Sequence, residues 1–157
     1  MIEIKIPGLT DYFIQNLVLD YNGTLAVDGI ILNGVAERLK KISQKKVKIH
    51  VLTADTFGRA SEFLTGLPVN LIILDSGNQE LQKLEYVKKL GANSVIAIGN
   101  GYNDSLMLKE AALGIVVVQG EGASVKAILN SDIVTNNISD ALELLLNPLR
   151  ISASLRK

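Results

Sequence analysis

The sequence predicts a doubly wound α/β fold, a parallel sheet covered by helices on both faces, on three observations. Short β-branched runs alternate with segments of helical period, the runs are apolar almost without interruption, and polar residues gather just beyond their carboxyl ends. The first strand, "NLVL" at 16–19, stops at Asp20. "VDGII" then reads as a short hairpin, and 34–44 as the first helix. "KIHVL" at 48–52 is the second strand and is followed by Thr53. A helix is expected over 57–64, with Asp55 and Thr56 before it as candidate N-caps. Strand 70–74 leads into helix 79–90, and strand 94–98 into a helix over 104–111. Strand 113–118, helix 123–129, a weaker strand at 132–134 and helix 139–146 complete the alternation. Only the tail "ISASLRK" reads as loosely held. His50, the single histidine, lies inside a strand and is expected to be a packed or hydrogen-bonded core imidazole.

The chain has 157 residues, 48% of them hydrophobic, enough for one domain over 1–157 that buries roughly 70% of its unfolded surface. Lysine plus arginine and aspartate plus glutamate are each 16, so no net field favours nucleic acid or anionic lipid. The absence of cysteine excludes disulfides, thiolate metal sites and cysteine nucleophiles. "MIEIKIPG" lacks the pattern of a signal peptide, and no apolar run approaches the ~18 residues of a membrane span. A cytoplasmic protein without nucleic-acid or membrane partners is expected.

In a doubly wound sheet, ligands bind outside the carboxyl ends of the strands. Four of those ends read "DYNGT", "TAD", "DSGNQELQK" and "GNGYND". Asp20, at the exposed end of a central strand, can either cap the following turn or attack phosphorus to form an aspartyl phosphate. Gly23 permits a tight turn beside a phosphate, and Thr24 fits as a turn hydroxyl. The Thr53 hydroxyl can donate to a phosphoryl oxygen. A lysine is needed to offset repulsion between a phosphoryl dianion and a carboxylate, and Lys83, Lys88 and Lys89 compete for that place. Their helix leaves the carboxyl edge at about 1.5 Å per residue, which favours Lys83 in its first turns. In "GNGYND", Gly99 and Gly101 allow close backbone approach, while Asn103 and Asp104 open a helix whose N-terminus favours anions.

Taken in order, these motifs resemble the haloacid-dehalogenase-like phosphotransferase superfamily, and within it the phosphorylation domain of P-type ATPases and their small soluble, capless relatives. The match runs from about Leu17 to Val118. The resemblance implies a Rossmann-like fold and a Mg²⁺-dependent phosphohydrolase or phosphotransferase acting on phosphate monoesters. It assigns catalysis to Asp20, Asn22, Thr53 and Lys83, and substrate contacts to Gly23, Thr24 and Asn103. Metal ligation falls to Asp20, the backbone carbonyl of Asn22, and either Asn100 or Asp104.

Two amides interrupt the pattern. Family phosphatases carry an acid at the position of Asn22 that protonates the leaving oxygen and activates water, and asparagine can do neither. Loss of such help typically costs ~10²–10⁴ in rate. The family also usually has an acid, commonly a magnesium ligand, at the position of Asn100. Capture of a phosphoryl group is expected to survive these changes with slow turnover and weaker metal binding. A catalytically weakened phosphate- or metal-binding regulatory module is the alternative.

The intervals between Thr24 and Thr53, and between Thr53 and Lys83, are too short for a cap or a nucleotide-binding insertion. An open site follows, serving a phosphorylated small molecule or a phosphoprotein, with a second copy of the chain as one way of completing it. A receiver domain is excluded because it would carry its acidic pair after the first strand and its acceptor after the third.

Overall fold

The computed structural model describes residues 1–55 and 58–157. A hairpin of β1 (Ile2–Ile4) and β2 (Tyr12–Ile14) leads into β3 (Asn16–Asp20), and a second hairpin, β4 (Ala26–Val27) with β5 (Ile30–Ile31), follows. Its turn places Asp28 and Gly29 at φ 52° and 77°, the left-handed pair that a two-residue hairpin loop requires. Then come α1 (Val35–Gln44), β6 (Lys48–Thr53), α2 (Arg59–Leu64), β7 (Asn70–Ile73), α3 (Gln79–Leu90) and β8 (Val95–Gly99). The chain ends through α4 (Ser105–Glu110), β9 (Leu113–Val117), α5 (Val125–Leu129), β10 (Ile133–Thr135), α6 (Ile138–Leu146) and α7 (Leu149–Leu155).

Six strands form one parallel sheet in the order β10-β9-β8-β3-β6-β7. Successive residues of β3 point to opposite faces, and each face has its own core. Leu17 and Leu19 join the apolar sides of α1, α2, α6 and α7, whereas Val18 joins those of α3, α4 and α5. The fold is thus doubly wound, as the apolar strands predict. Strand order reverses between β3 and β8, so their carboxyl ends open a crevice beside Asp20 and Gly99.

The intervals that could have held a cap contain, among the described residues, only the β4–β5 hairpin, α1, α2 and β7. The start of the helix expected over 57–64, and Thr56 as its cap, lie outside the described residues; Asp55 does accept the N–H groups of Ala60 and Ser61. Two features depart from expectation. The tail is not loose: α7 carries "ISASL", and Ile151 is fully buried against β1 and α6. The β1–β2 hairpin lies outside the main sheet and buries Ile2, Ile4 and Ile14 in the same core.

Candidate active site

Asp20 is the last residue of β3 and Lys83 sits in the second turn of α3, facing the sheet one turn before the buried Val87. The Lys83 ammonium spans two carboxylates, 2.7 Å from Asp20 Oδ1 and 2.6 Å from Asp104 Oδ1. All three side chains are buried or nearly so. Two carboxylates against one ammonium leave the cluster one negative charge in excess.

That imbalance shows in the titration of the groups. Burial first, and the neighbouring Asp104 charge second, push the Asp20 carboxyl up to about 6 against the pull of Lys83. Asp20 is therefore mostly ionised at neutral pH. Burial opposes the charge on Lys83, but Asp20 and Asp104 outweigh it and hold the ammonium above its ordinary range.

Asp104 does not cap α4. It lies in a single helical turn, Tyr102–Asp104, and its Oδ2 reaches back to accept the N–H groups of Asn100 at 2.9 Å and Gly101 at 2.8 Å. The carboxylate thereby folds the "GNGYND" loop over itself. Gly99 is required for this, since a Cβ there would stand 2.5 Å from Asp104 Cγ. Gly23 is required on the other side, with φ +79° and a site where a Cβ would overlap the Asn100 amide.

The Thr24 hydroxyl is fully buried, 3.2 Å from both Asp20 Oδ2 and Asn100 Oδ1. Gly23 N–H is already given to Ala26 O. Neither Gly23 nor Thr24 lines the cavity, so the structure gives them the shaping of the turn rather than a wall of the site. Asn100 Nδ2 donates to Gly122 O at 3.1 Å, and its Oδ1 faces the Thr24 hydroxyl that also meets Asp20 Oδ2. Among the described residues no three His, Cys, Asp or Glu side chains gather as a metal site. Oxygen donors do converge here: the Asp20 carboxylate, the Asn100 amide oxygen, and Asn22 on the cavity wall. Magnesium accepts such a set together with several waters, so the donors fit it at reduced charge.

A cavity of about 250 Å³ opens in front of Asp20 and Lys83, with Thr53, Gln79, Asn100 and Asn103 on its walls. Thr53 Oγ1 accepts the Asp55 N–H at 3.2 Å, which leaves its own hydrogen free to donate. Asn103 Nδ2 donates to Gln79 Oε1 at 3.0 Å across the rim. Asn22 is exposed at the mouth. Lys88 and Lys89 are exposed away from the cavity, and His50 is held inside the sheet between Tyr86 OH and Asn16. A second cavity of about 420 Å³ adjoins the first and is bounded by Tyr21, Asp28, Asp55 and Arg59.

One wall comes from a segment whose sequence pattern assigned it no role. Residues 118–124, after β9, are fastened to the turn after Asp20 and to the "GNGYND" loop: Gln119 Nε2 donates to Gly23 O at 3.1 Å and Thr24 O at 2.7 Å, and Ser124 N–H to Asn100 O at 2.8 Å. The signal was "QGEG", a glycine-rich end of a fifth parallel strand at the carboxyl edge.

A family model described as haloacid dehalogenase-like hydrolase matches residues 77–144. The chain is 55% identical over 78 residues to an uncharacterised protein of Methanocaldococcus jannaschii, a stretch covering 49% of this chain and 84% of that protein. It is 33% identical over 113 residues, 71% of the chain, to a probable copper-exporting P-type ATPase of Archaeoglobus fulgidus, of which the stretch is only 13%. Among solved structures, the 3-deoxy-D-manno-octulosonate 8-phosphate phosphatase of Moraxella catarrhalis, in complex with magnesium, phosphate and KDO, superposes with a TM-score of 0.70 at 19% identity, covering 90% of each chain. The cobalt-bound phosphatase of Haemophilus influenzae gives a TM-score of 0.71 at 14% identity, covering 92% of this chain and 94% of that one.

Proposed function

We propose that the chain is a haloacid dehalogenase-like hydrolase and, on that premise, a Mg²⁺-dependent phosphatase or phosphotransferase that acts on phosphate monoesters through an aspartyl phosphate on Asp20. One observation carries the reading: a buried carboxylate held by Lys83 at the floor of a cavity open to solvent. Asp20 Oδ2, whose protein partner is the Thr24 hydroxyl, attacks phosphorus as the bond to the leaving oxygen breaks. Lys83 offsets the charge brought together, and the Thr53 hydroxyl donates to a phosphoryl oxygen. Asn103 borders the same space and offers its second amide hydrogen. Magnesium, when bound, supplies positive charge against the phosphoryl oxygens; Asp20, the Asn22 carbonyl and the Asn100 amide oxygen would hold it. Asp104 serves through the loop that it anchors, since Lys83 and two backbone N–H groups already occupy its oxygens.

The two adjoining cavities favour a small phosphorylated molecule over a phosphoprotein as substrate. Among the described residues no helix is long and apolar enough to cross a membrane, in keeping with a cytoplasmic site of action. We take 1–157 as one domain, with a second copy of the chain as one way to close the open mouth. The amides Asn22 and Asn100 favour a second reading, a regulatory module that binds phosphate or metal without turnover.

Incubation with Mg²⁺ and an activated aryl phosphate separates the two. Released phosphate and a phosphoryl adduct by intact mass are expected, and Asp20→Asn should lower both by about 10³-fold or more. No adduct and no release in the wild type would leave the binding module.

A further inference from the structure

We propose that Glu121 is the proton-transfer residue of this site, supplying from the loop after β9 the chemistry that Asn22 cannot. The proposal rests on the phosphatase reading above. Its starting point is the seam between the two cavities. A phosphate monoester bound at Asp20 places its phosphoryl group in the first cavity and its leaving group toward the second, so the leaving oxygen passes the residues common to both walls. Those residues are Asn22, Ala54 and Glu121. An amide and a methyl group cannot exchange a proton; the carboxyl group of Glu121 can.

Glu121 is also placed rather than merely present. Its Oε1 accepts the Asp28 N–H at 2.9 Å from the tip of the β4–β5 hairpin, which leaves Oε2 without a hydrogen bond from the described residues. Asn100 Nδ2 grips the carbonyl of the next residue, Gly122, which adopts φ +73°. With Gln119 fastened to Gly23 and Thr24, the segment bearing Glu121 is tied to the nucleophile turn, to the "GNGYND" loop and to the hairpin. Other acids near the seam are committed elsewhere. Asp55 accepts two N–H groups at the start of α2, Asp104 is buried with Lys83, and Asp28 borders only the second cavity.

In the first step an Asp20 oxygen bonds to phosphorus, the P–O bond to the leaving group breaks, and the Glu121 carboxyl proton passes to the departing oxygen. In the second, the Glu121 carboxylate takes a proton from water and the water oxygen bonds to phosphorus. The bond to Asp20 then breaks, releasing phosphate and restoring both side chains.

Glu121→Gln tests this cleanly, because the amide oxygen can still accept the Asp28 N–H while losing the exchangeable proton. Three quantities are read with Mg²⁺ present: thermal stability, turnover of aryl against alkyl phosphates, and the lifetime of the adduct on Asp20 by quenched intact mass. Unchanged stability, unchanged adduct formation from the aryl ester, alkyl turnover lowered by about 10²-fold and a longer-lived adduct are expected. Adding Asn22→Asp to Glu121→Gln should restore part of the alkyl turnover, because an acid then again borders both cavities. Unaltered alkyl turnover and adduct lifetime would overturn the assignment, as would an equal slowing of adduct formation from aryl and alkyl esters. Neither adduct nor release in the wild type sinks the phosphatase reading, and this proposal with it, whereas an adduct whose lifetime Glu121→Gln leaves unchanged, with alkyl turnover also unchanged, sinks this proposal alone.

Discussion

The two ends of β3 carry polar clusters that share β3, β6 and α3, and they differ in charge. At the amino end, Asn16 of β3, His50 of β6 and Tyr86 of α3 form a neutral chain of hydrogen bonds, 3.2 Å and 3.0 Å long, with the His50 and Tyr86 rings edge to face. At the carboxyl end, Asp20 of β3 and Lys83 of α3 meet Asp104 in an ionic triad beside Thr53 of β6. Every buried polar side-chain atom among the described residues has a partner, so hydrogen bonding alone does not separate the clusters. Charge does. The neutral chain is complete, whereas the triad holds an excess negative charge that a bound cation would offset. Such unbalanced burial costs stability and persists at sites where chemistry uses it.

The largest effect that should separate the ends comes from α3, which serves both. Lys83→Met leaves Asp20 and Asp104 buried without their cation and is expected to cost about 3–5 kcal/mol of stability. Tyr86→Phe removes one hydrogen bond to a neutral imidazole and should cost only about 1 kcal/mol. Denaturant unfolding of both variants without metal decides it; equal costs would mean that the triad is no more demanding than the neutral chain.

A smaller effect concerns the cation. Asn100→Asp adds a third carboxylate and gives up the amide bond to Gly122, so the metal-free protein should melt lower than the wild type. Its Mg²⁺ affinity should rise by roughly tenfold, about 1.4 kcal/mol, seen as a larger thermal shift on adding the ion. Asn16→Asp makes the same change at the other end and should produce no response to Mg²⁺. A similar response from both variants would show that the ion does not distinguish the two ends of the strand.

The same contrast between local and remote contacts decides which parts of the molecule are legible in its sequence. The six parallel strands are legible because each is an apolar β-branched run, and four of their ends announce themselves through Asp20, Thr53, Lys83 and the "GNGYND" loop. The α3 helix is legible to the residue, since Asn78 caps it through Leu81 N–H and Gly91 ends it. What stays hidden depends on contacts remote in sequence. The alternation in "IEIKI" signals a strand, but its partner Tyr12–Ile14 is only three residues long, and Ile151 is ordered by an inner face that no local pattern displays. Likewise, nothing local marks Glu121 as a wall of both cavities; that follows from Gln119 reaching back to Gly23 and Thr24.

The smallest effect uses pH. His50 is buried between Asn16 and Tyr86, and that burial first, with Lys48 nearby, holds its pKa below the ordinary value of 6.5. Lys46 and Lys89 border the same pocket, which adds no counter-charge for an imidazolium. The folded state therefore binds the histidine proton less readily than the unfolded state does. The His50 contribution is full above 6.5, is lost progressively as pH falls through that value, and levels off below the depressed folded pKa. Asp20 runs the other way, because a carboxyl raised to about 6 favours the folded state once it is protonated. The measurement must therefore be a difference: unfolding free energies of the wild type and His50→Gln, metal-free, between pH 8 and 5 on the order of half-unit steps. Asp20 cancels between the two proteins, and the gap between them should narrow as pH falls. A gap that stays constant would mean that His50 is not a neutral member of its cluster, and the contrast between the two ends of β3 would lose its basis.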